Sequence, residues 1–306
     1  MTAALESFAR RVLGEYTDEG TQRPEGRRRV LHLADADGRE WYCKQTVFLM
    51  QWRAEVRAYR RWFVALDGDV PHLQAVDRRS RLLLVSGLPG EVVKEPGTAI
   101  HRAAGALLRR LHDAGPQRRE PQAKRRKMTE RLDREPWVKS DAFTSAQTDF
   151  IRAHMREFRN LPLLAEVACH GDYGPHNWLV DGDGAVRAID FAESKWNPAP
   201  FDLARLCLQS WWDKPKHSAA FFEGYGRELT ELEREYLRLQ VVRSAVAAVQ
   251  WGRQHDAPHV ENRARSRLAD LMDGHTLDIR DSTPSRKASV RSAARRVRAS
   301  SVRASR

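Results

Sequence analysis

The chain has 306 residues and a mass of 35.1 kDa, with 41% hydrophobic residues and a formal net charge of +12. This composition is typical of a globular protein, and the length allows one large domain or two smaller ones. No apolar run is long enough to cross a membrane, and the charged N-terminus lacks the apolar core of a secretory signal. Three widely spaced cysteines give no disulfide framework, so we expect a reduced, cytoplasmic protein.

The positive charge is concentrated at the C-terminus. Residues 280–306 contain eight Arg, one Lys and one Asp, which is a net charge of +8. The segment is rich in Ser, Ala and Arg and cannot bury enough apolar surface to order itself. We therefore predict that 276–306 is a basic disordered tail. The tail could contact nucleic acid, but we expect no specific partner for it.

The first 86 residues predict a β-rich unit with one helix. Residues 30–33 and 41–44 are β-prone and flank the turn signal DADG, which predicts a hairpin. A helical period follows over 51–66, and two more strands are expected on either side of a turn at 77–80.

From residue 87 onwards the pattern is mainly helical. Residues 99–115, 144–161, 201–212 and 229–273 have helical patterns, while 116–136 suggest a loop or insertion. We predict an α+β, bilobal fold with a small β-rich N-terminal lobe, 1–86, a larger mainly helical C-terminal lobe, 87–275, and a cleft between them.

The most informative stretch is HGDYGPHNWLV, residues 170–180. His170, Asp172 and His176 could ligate a transition metal. However, their short spacing across a Gly-Pro turn does not fix all three on one face, and no other His/Cys cluster is nearby in the sequence.

Phosphoryl transfer explains the same stretch better. Asn177 follows Asp172 by five residues, and Asp190 follows it by eighteen. A carboxylate can orient an attacking hydroxyl and accept its proton, while amide and carboxylate oxygens suit Mg²⁺. A tight hairpin through DGDG would bring Asn177 and Asp190 to the same end of two paired strands. We predict Asp172 as the catalytic base and Asn177 and Asp190 as the Mg²⁺ ligands.

The segment CHGDYGPHNWLVDGDGAVRAIDF resembles the catalytic core of the aminoglycoside phosphotransferase and choline kinase family, which has a protein-kinase-like fold. The match to HxDxxxxN and to the following I-D-F comprises His170, Asp172, Asn177 and Asp190. The likeness extends to PAPFDLARL, where Asp202 matches the aspartate at the start of the next helix. In this family His170 and Asp202 would support the site structurally.

The resemblance also implies a nucleotide site in the N-terminal lobe, for ATP or GTP. Lys44, in YCK, would hold the α- and β-phosphates, and Glu55, eleven residues later, would pair with it. The stretch LLLVSGLPGE resembles the hinge that receives the nucleobase, through Val85, Ser86 and Leu88. A convincing glycine-rich phosphate loop is missing, which leaves the choice between ATP and GTP open.

These features predict a Mg²⁺-dependent phosphotransferase that moves the γ-phosphate of a nucleoside triphosphate to an alcohol group of a small molecule. An antibiotic, such as an aminoglycoside, is the preferred acceptor. Choline, an amino-alcohol or a sugar is the alternative, with Trp137, Trp196, Trp211 and Trp212 as candidates for an aromatic cage. A non-catalytic nucleic-acid binder acting through the tail is a further alternative. A protein kinase is the least favoured hypothesis, because the sequence has no recognisable activation segment with an A-P-E type ending.

Overall fold

The computed structural model describes residues 2–22, 29–124 and 141–275. The predicted tail and residues 125–136 of the predicted insertion lie outside the described residues. Within the described ranges, no helix combines the length and the apolar character that a membrane span requires.

A five-stranded antiparallel sheet, in the order β1-β2-β3-β5-β4, forms the N-terminal part. The predicted hairpin is present as β2 and β3, and the Asp35 carboxylate accepts the amides of Asp37 and Arg39 in its turn. Strand β1 was not predicted, because its sequence YTDEGTQ is polar and a bulge between Asp18 and Gly20 interrupts the alternation. The strands are β1 (Tyr16–Gln22), β2 (Arg29–Asp35), β3 (Glu40–Gln45), β4 (Leu73–Asp77) and β5 (Leu82–Ser86).

Helices cover both faces of this sheet. Helix α1 (Thr2–Leu13) buries Leu5 and Phe8 against one face. Helix α2 (Leu49–Arg57) continues as a π-helical turn, Ala58–Trp62, and lies against the other face. The Trp52 indole nitrogen donates to the Leu82 carbonyl at 3.0 Å, which fixes α2 on the sheet. The predicted helix over 51–66 therefore exists, but it begins two residues earlier and changes its winding at residue 58.

The second part is mainly helical, with two three-stranded sheets in the orders β10-β9-β6 and β11-β8-β7. Its strands are β6 (Glu91–Val92), β7 (Arg118–Arg119), β8 (Ala165–Cys169), β9 (Trp178–Val180), β10 (Val186–Ala188) and β11 (Lys195–Asn197). Its helices are α3 (Thr98–Ala114), α4 (Ser145–Asn160), α5 (Leu203–Leu206) with a π-helical turn Cys207–Trp211, α6 (Pro215–Tyr225), α7 (Glu231–Gln254) and α8 (Pro258–Met272).

Helix α3 is the centre of the main core. It buries Leu107, Leu108 and Leu111 in a cluster that includes residues of both parts of the molecule. A side chain at Gly105 would meet the Phe221 carbonyl, so this glycine lets α3 and α6 approach closely. The core therefore holds the cleft walls against one another.

Local signals account for the limits of the long helices. Thr144 and Thr230 both form capping boxes, with Gln147 and with Glu233, at the starts of α4 and α7. The segment predicted as helical over 229–273 is two helices, because Pro258 begins a new one at a position where its missing amide costs nothing.

The structure confirms the predicted α+β fold, with a β-rich N-terminal part and a larger helical part. The boundary after residue 86 remains a prediction. Strand β5 ends at Ser86, and β6 already pairs with β9 of the second part.

Candidate active site

A cleft of about 2350 Å³ lies between the N-terminal sheet and the helical part. Strands β3 and β5, the β9–β10 hairpin and helices α7 and α8 contribute to its walls. Seven of the predicted site residues line it, namely Lys44, Val85, Ser86, Leu88, Asp172, Asn177 and Asp190. The other three, Glu55, His170 and Asp202, are buried behind it.

The β9–β10 hairpin brings together two residues that are thirteen positions apart in the sequence. Val186 pairs with Val180 and Ala188 with Trp178, and the Ile189 amide donates to the Asn177 carbonyl at 3.1 Å. Asn177 thus lies opposite the residue before Asp190, at one end of both strands.

Asn177 is held in one orientation by Asp172. Its side-chain nitrogen donates to the Asp172 carbonyl at 2.9 Å and lies 3.4 Å from Oδ2 of the same residue. A carbonyl can only accept a hydrogen bond, so the amide nitrogen faces Asp172 and Oδ1 of Asn177 is directed elsewhere. Asp190 has a φ of +62°, a left-handed conformation uncommon outside glycine and typical of functional sites.

Two cationic or polar side chains contact the Asp172 carboxylate. His176 Nε2 lies 3.2 Å from Oδ2, and the Arg205 guanidinium contacts Oδ1. Arg205 was missed by the sequence reasoning, although it is only three residues after Asp202. Asp202 ends a 3₁₀ turn, whereas Arg205 belongs to the short helix α5 that follows it.

His170 and Asp202 set the backbone of the loop that carries Asp172. The Asp202 carboxylate accepts the His170 amide at 2.8 Å, the Gly171 amide at 2.7 Å and His112 Nε2 at 3.1 Å. Burial alone would raise the pKa of Asp202, but His112, His170 and the Gly171 amide lower it below its usual value. A side chain at Gly171, where φ is +89°, would meet the Glu193 carbonyl, so this position requires glycine.

Burial lowers the pKa of the His170 imidazole. Its Nε2 bonds the Ile189 carbonyl at 3.0 Å, and its Nδ1 accepts the Asp172 amide at 3.3 Å. Because a carbonyl only accepts and an amide only donates, the proton is on Nε2. His170 therefore connects the chain just before Asp190 to Asp172 itself.

Lys44 and Glu55 form a buried ion pair. Nζ of Lys44 lies 3.0 Å from Oε1 of Glu55, and the two side chains are 18% and 2% exposed. The Tyr59 hydroxyl also lies 3.4 Å from this oxygen. Glu55 is placed by α2 and Lys44 by β3, so the pair depends on the packing of the helix on the sheet.

Helix α2 is also tied to the segment that follows Asp190. Ser194 Oγ donates to the Ala54 carbonyl at 3.0 Å, and Gln51 Nε2 donates to Glu193 at 2.8 Å. The Arg57 guanidinium donates to the Ser194 carbonyl at 3.2 Å. These bonds join sequence positions about 140 residues apart, and no local pattern could have predicted them. They couple Glu55 to the loop that carries Asp190.

The hinge has fewer backbone amides available to a nucleobase than the sequence predicted. The Ser86 amide donates to the His72 carbonyl at 2.9 Å, and Ser86 Oγ accepts the His72 amide at 2.9 Å. The Gly87 amide donates to the Glu40 carbonyl at 2.6 Å. Val85 is 1% exposed and lies with Leu88 at the cleft wall.

The donor set fits a hard divalent cation. Oδ1 of Asn177 and the Asp190 carboxylate are oxygen donors at the cleft, which Asp172 also lines. Mg²⁺ prefers such oxygens and usually retains several waters. The transition-metal hypothesis for His170, Asp172 and His176 is not supported, because both ring nitrogens of His170 already have backbone partners.

The proposed aromatic cage is not assembled in the described part of the chain. Trp196 packs on Trp62, and Trp211 and Trp212 are buried in the core. Trp137 lies outside the described residues. The tryptophan that lines the cleft is Trp251 of α7, which is 44% exposed and was missed.

The sequence of the chain matches the model of the phosphotransferase enzyme family over residues 20–241. The chain belongs to this family. This match confirms that the chain is a phosphotransferase, as predicted. A curated relative, the homoserine kinase of Methylobacterium nodulans, is 32% identical over 149 residues, which cover 44% of this chain and 43% of that protein. The chain thus matches less than half the length of this relative.

Solved structures of family members share the fold at low sequence identity. The GDP and kanamycin complex of APH(2")-IIia has a TM-score of 0.64 at 12% identity, and the match covers 89% of this chain and 99% of that chain. A choline/ethanolamine kinase family protein from Mesorhizobium loti also has a TM-score of 0.64, at 18% identity, with 90% and 97% covered. An amicoumacin kinase in complex with AMP-PNP, Ca²⁺ and Ami has a TM-score of 0.64 at 16% identity, with 88% and 93% covered.

Proposed function

We propose that this phosphotransferase is Mg²⁺-dependent and moves the γ-phosphate of ATP or GTP to a hydroxyl of a small molecule in the cytoplasm. The observation that carries the proposal is the clustering of Asp172, Asn177 and Asp190 at one end of the β9–β10 hairpin, facing the same cleft as Lys44.

Asp172 is the proposed base. Its carboxylate faces the cleft and has one oxygen near His176 and the other near Arg205. An acceptor hydroxyl that reaches this carboxylate would be oriented for attack on the γ-phosphate, and its proton would pass to Asp172 as the oxygen–phosphorus bond forms. The bond between the γ-phosphorus and the bridging oxygen breaks, and the nucleoside diphosphate leaves.

Asn177 and Asp190 would hold Mg²⁺, which neutralises charge on the transferring phosphate when it is bound. Lys44, kept in place by Glu55, would contact the α- and β-phosphates. The nucleobase of the nucleotide would lie against Val85 and Leu88. We propose the Leu88 amide as its hydrogen-bond donor at the hinge. Similar structures have been solved with GDP and with AMP-PNP, which supports a purine nucleotide in this half of the cleft.

The acceptor remains a hypothesis with two candidates. An antibiotic was the first expectation, and it is supported by the similar structures of a kanamycin complex and of an amicoumacin kinase. A hydroxylated metabolite is the alternative. It is supported by the homoserine kinase relative and by the arginines that line the helical wall of the cleft.

An acceptor screen tests the proposal. The purified protein is incubated with Mg²⁺, ATP or GTP and a panel of aminoglycosides, other antibiotics, amino-alcohols, hydroxy amino acids and sugars. We expect one acceptor to gain about 80 Da, the mass of a phosphoryl group, in wild type and not in Asp172→Asn. An unchanged product yield in Asp172→Asn would refute the assignment of the base.

A further inference from the structure

The helical wall of the cleft carries positive charge, and none of its described residues is an aspartate or a glutamate. From residue 201 onwards, the cleft-lining residues include three arginines and two histidines but no aspartate or glutamate. On α8, His259, Arg263 and Arg267 recur every four residues, so they form one stripe along the helix. The α8 acids Glu261 and Asp270 do not line the cleft.

The three arginines of this wall, Arg205, Arg263 and Arg267, are not equivalent. Arg205 contacts Asp172, and Arg267 lies 2.7 Å from an Asp213 oxygen and above the Trp212 ring. Arg263 is exposed, and within the described parts of the chain no carboxylate lies within ion-pair distance of it. Its guanidinium is therefore available to an anionic group of a ligand.

The same wall also offers apolar surface. Trp251 stacks on His255 with ring centroids 4.4 Å apart, and Leu208, Ala248 and Val260 also line the cleft. A guanidinium with five donors is a typical binding group for a compact organic anion, and apolar surface in the same cleft can pack against the carbon skeleton of that anion.

We propose that the acceptor of this enzyme is a small hydroxyl compound with a carboxylate or phosphate group, and that Arg263 binds this group. The inference rests on the proposed function, because it assumes that the acceptor hydroxyl lies at Asp172. The anionic group would lie on the α8 side of the cleft, with the carbon skeleton against Trp251. A polycationic aminoglycoside would instead bring ammonium groups against the arginine stripe, where like charges repel.

Matched pairs of acceptors test the charge directly. Each pair differs only in the anionic group: L-serine with L-serinamide, γ-hydroxybutyrate with its amide, and glycerol phosphate with glycerol. Nucleoside diphosphate release is measured for wild type, for Arg263→Gln and for Arg253→Gln. Arg253 is a matched control because it lies on α7 outside the cleft and pairs with Asp141. The carboxylate pairs and the phosphate pair distinguish the two sources of the charge.

We expect the charged member of at least one pair to have a kcat/KM at least tenfold higher than its neutral partner. Arg263→Gln should remove this preference, and Arg253→Gln should keep it. Equal rates for charged and neutral members, or a preference that survives in Arg263→Gln, would overturn the proposal.

A binding measurement covers the case in which no member of a pair is phosphorylated. Calorimetry with the Mg²⁺–AMP-PNP complex should then show at least tenfold tighter binding of L-serine, γ-hydroxybutyrate or glycerol phosphate to wild type than to Arg263→Gln. No difference would overturn the proposal. Loss of AMP-PNP binding itself would instead refute the proposed function, so the two failures are distinguishable.

Discussion

The two halves of the cleft are built from different material. The half that we propose for the nucleotide consists of strands and tight turns. Lys44 lies in the ladder of β3 and β5, and Asn177 and Asp190 lie just beyond the paired ends of β9 and β10. The half that we propose for the acceptor consists of the faces of α7 and α8, where the cleft residues are spread over about 30 positions and about half of them are exposed. A strand pairing fixes a side chain more narrowly than an exposed helix face does. Under the proposed function, the chemistry therefore resides in the half built from strands, the rigid half, and the selectivity in the half built from helices, the adjustable half.

The largest effect should come from the base in the rigid half. Asp172→Asn keeps the size of the side chain but removes proton acceptance, so kcat should fall roughly 10³-fold. The KM for the nucleotide should change little, because Asp172 serves the acceptor. Steady-state kinetics at saturating Mg²⁺ checks this. A parallel loss of AMP-PNP affinity would show that Asp172 belongs to the nucleotide site and would contradict its assignment to the acceptor.

The next effect should come from the ion pair in the same half. Glu55→Gln removes the carboxylate charge that lies 3.0 Å from Nζ of Lys44, so Lys44 should hold the phosphates less firmly. The loss of a charge-assisted bond predicts a fall of roughly ten- to a hundredfold in kcat/KM for the nucleotide. The KM for the acceptor should be nearly unchanged. A matched loss for both substrates would mean that the two halves are not separable.

A smaller effect is expected from the aromatic residue of the adjustable half. Trp251→Ala removes a half-exposed ring that packs on His255, so the acceptor should lose about 1 kcal/mol of contact. The KM for the acceptor should rise roughly fivefold with little change in nucleotide binding. Titration calorimetry of AMP-PNP with Trp251→Ala provides the control, and weaker nucleotide binding would contradict the division of the cleft.

The last prediction concerns folding stability and not catalysis, in the frame that both halves share. Burial lowers the pKa of His101 to about 3, and its ring packs against Trp178, the first residue of β9. The unfolded chain takes up a proton below about pH 6.5 that the folded chain does not, so the free energy of unfolding falls as the pH falls. One such group contributes a slope of up to about 1.4 kcal/mol per pH unit.

Urea unfolding of wild type and His101→Asn between about pH 7 and pH 5 measures this slope. The slope should be shallower in His101→Asn, whatever the stability of this variant at neutral pH. Parallel lines for the two proteins would show that His101 is not the residue responsible.

Local patterns predicted the residues of the nucleotide half but not all of their partners. The spacing of Asp172, Asn177 and Asp190 with a DGDG turn between them was enough to predict one cluster, because a tight hairpin leaves a single register. The partners of Glu193 and Ser194 on α2 could not be predicted in this way, since they come from positions about 140 residues away. Arg205 and Trp251 were missed because a helical period indicates a face but not what that face meets.

The sequence by itself determined the family, the fold class and the elements that carry the catalytic motif. It could do so because hydrophobic periods, turn residues and the spacing of the motif all act over short range. Only the tertiary structure decided which walls the cleft has. The charge of a binding site depends on which helices meet there. The basic wall of Arg205, Arg263 and Arg267 exists because α5 and α8 line the same cleft as Asp172.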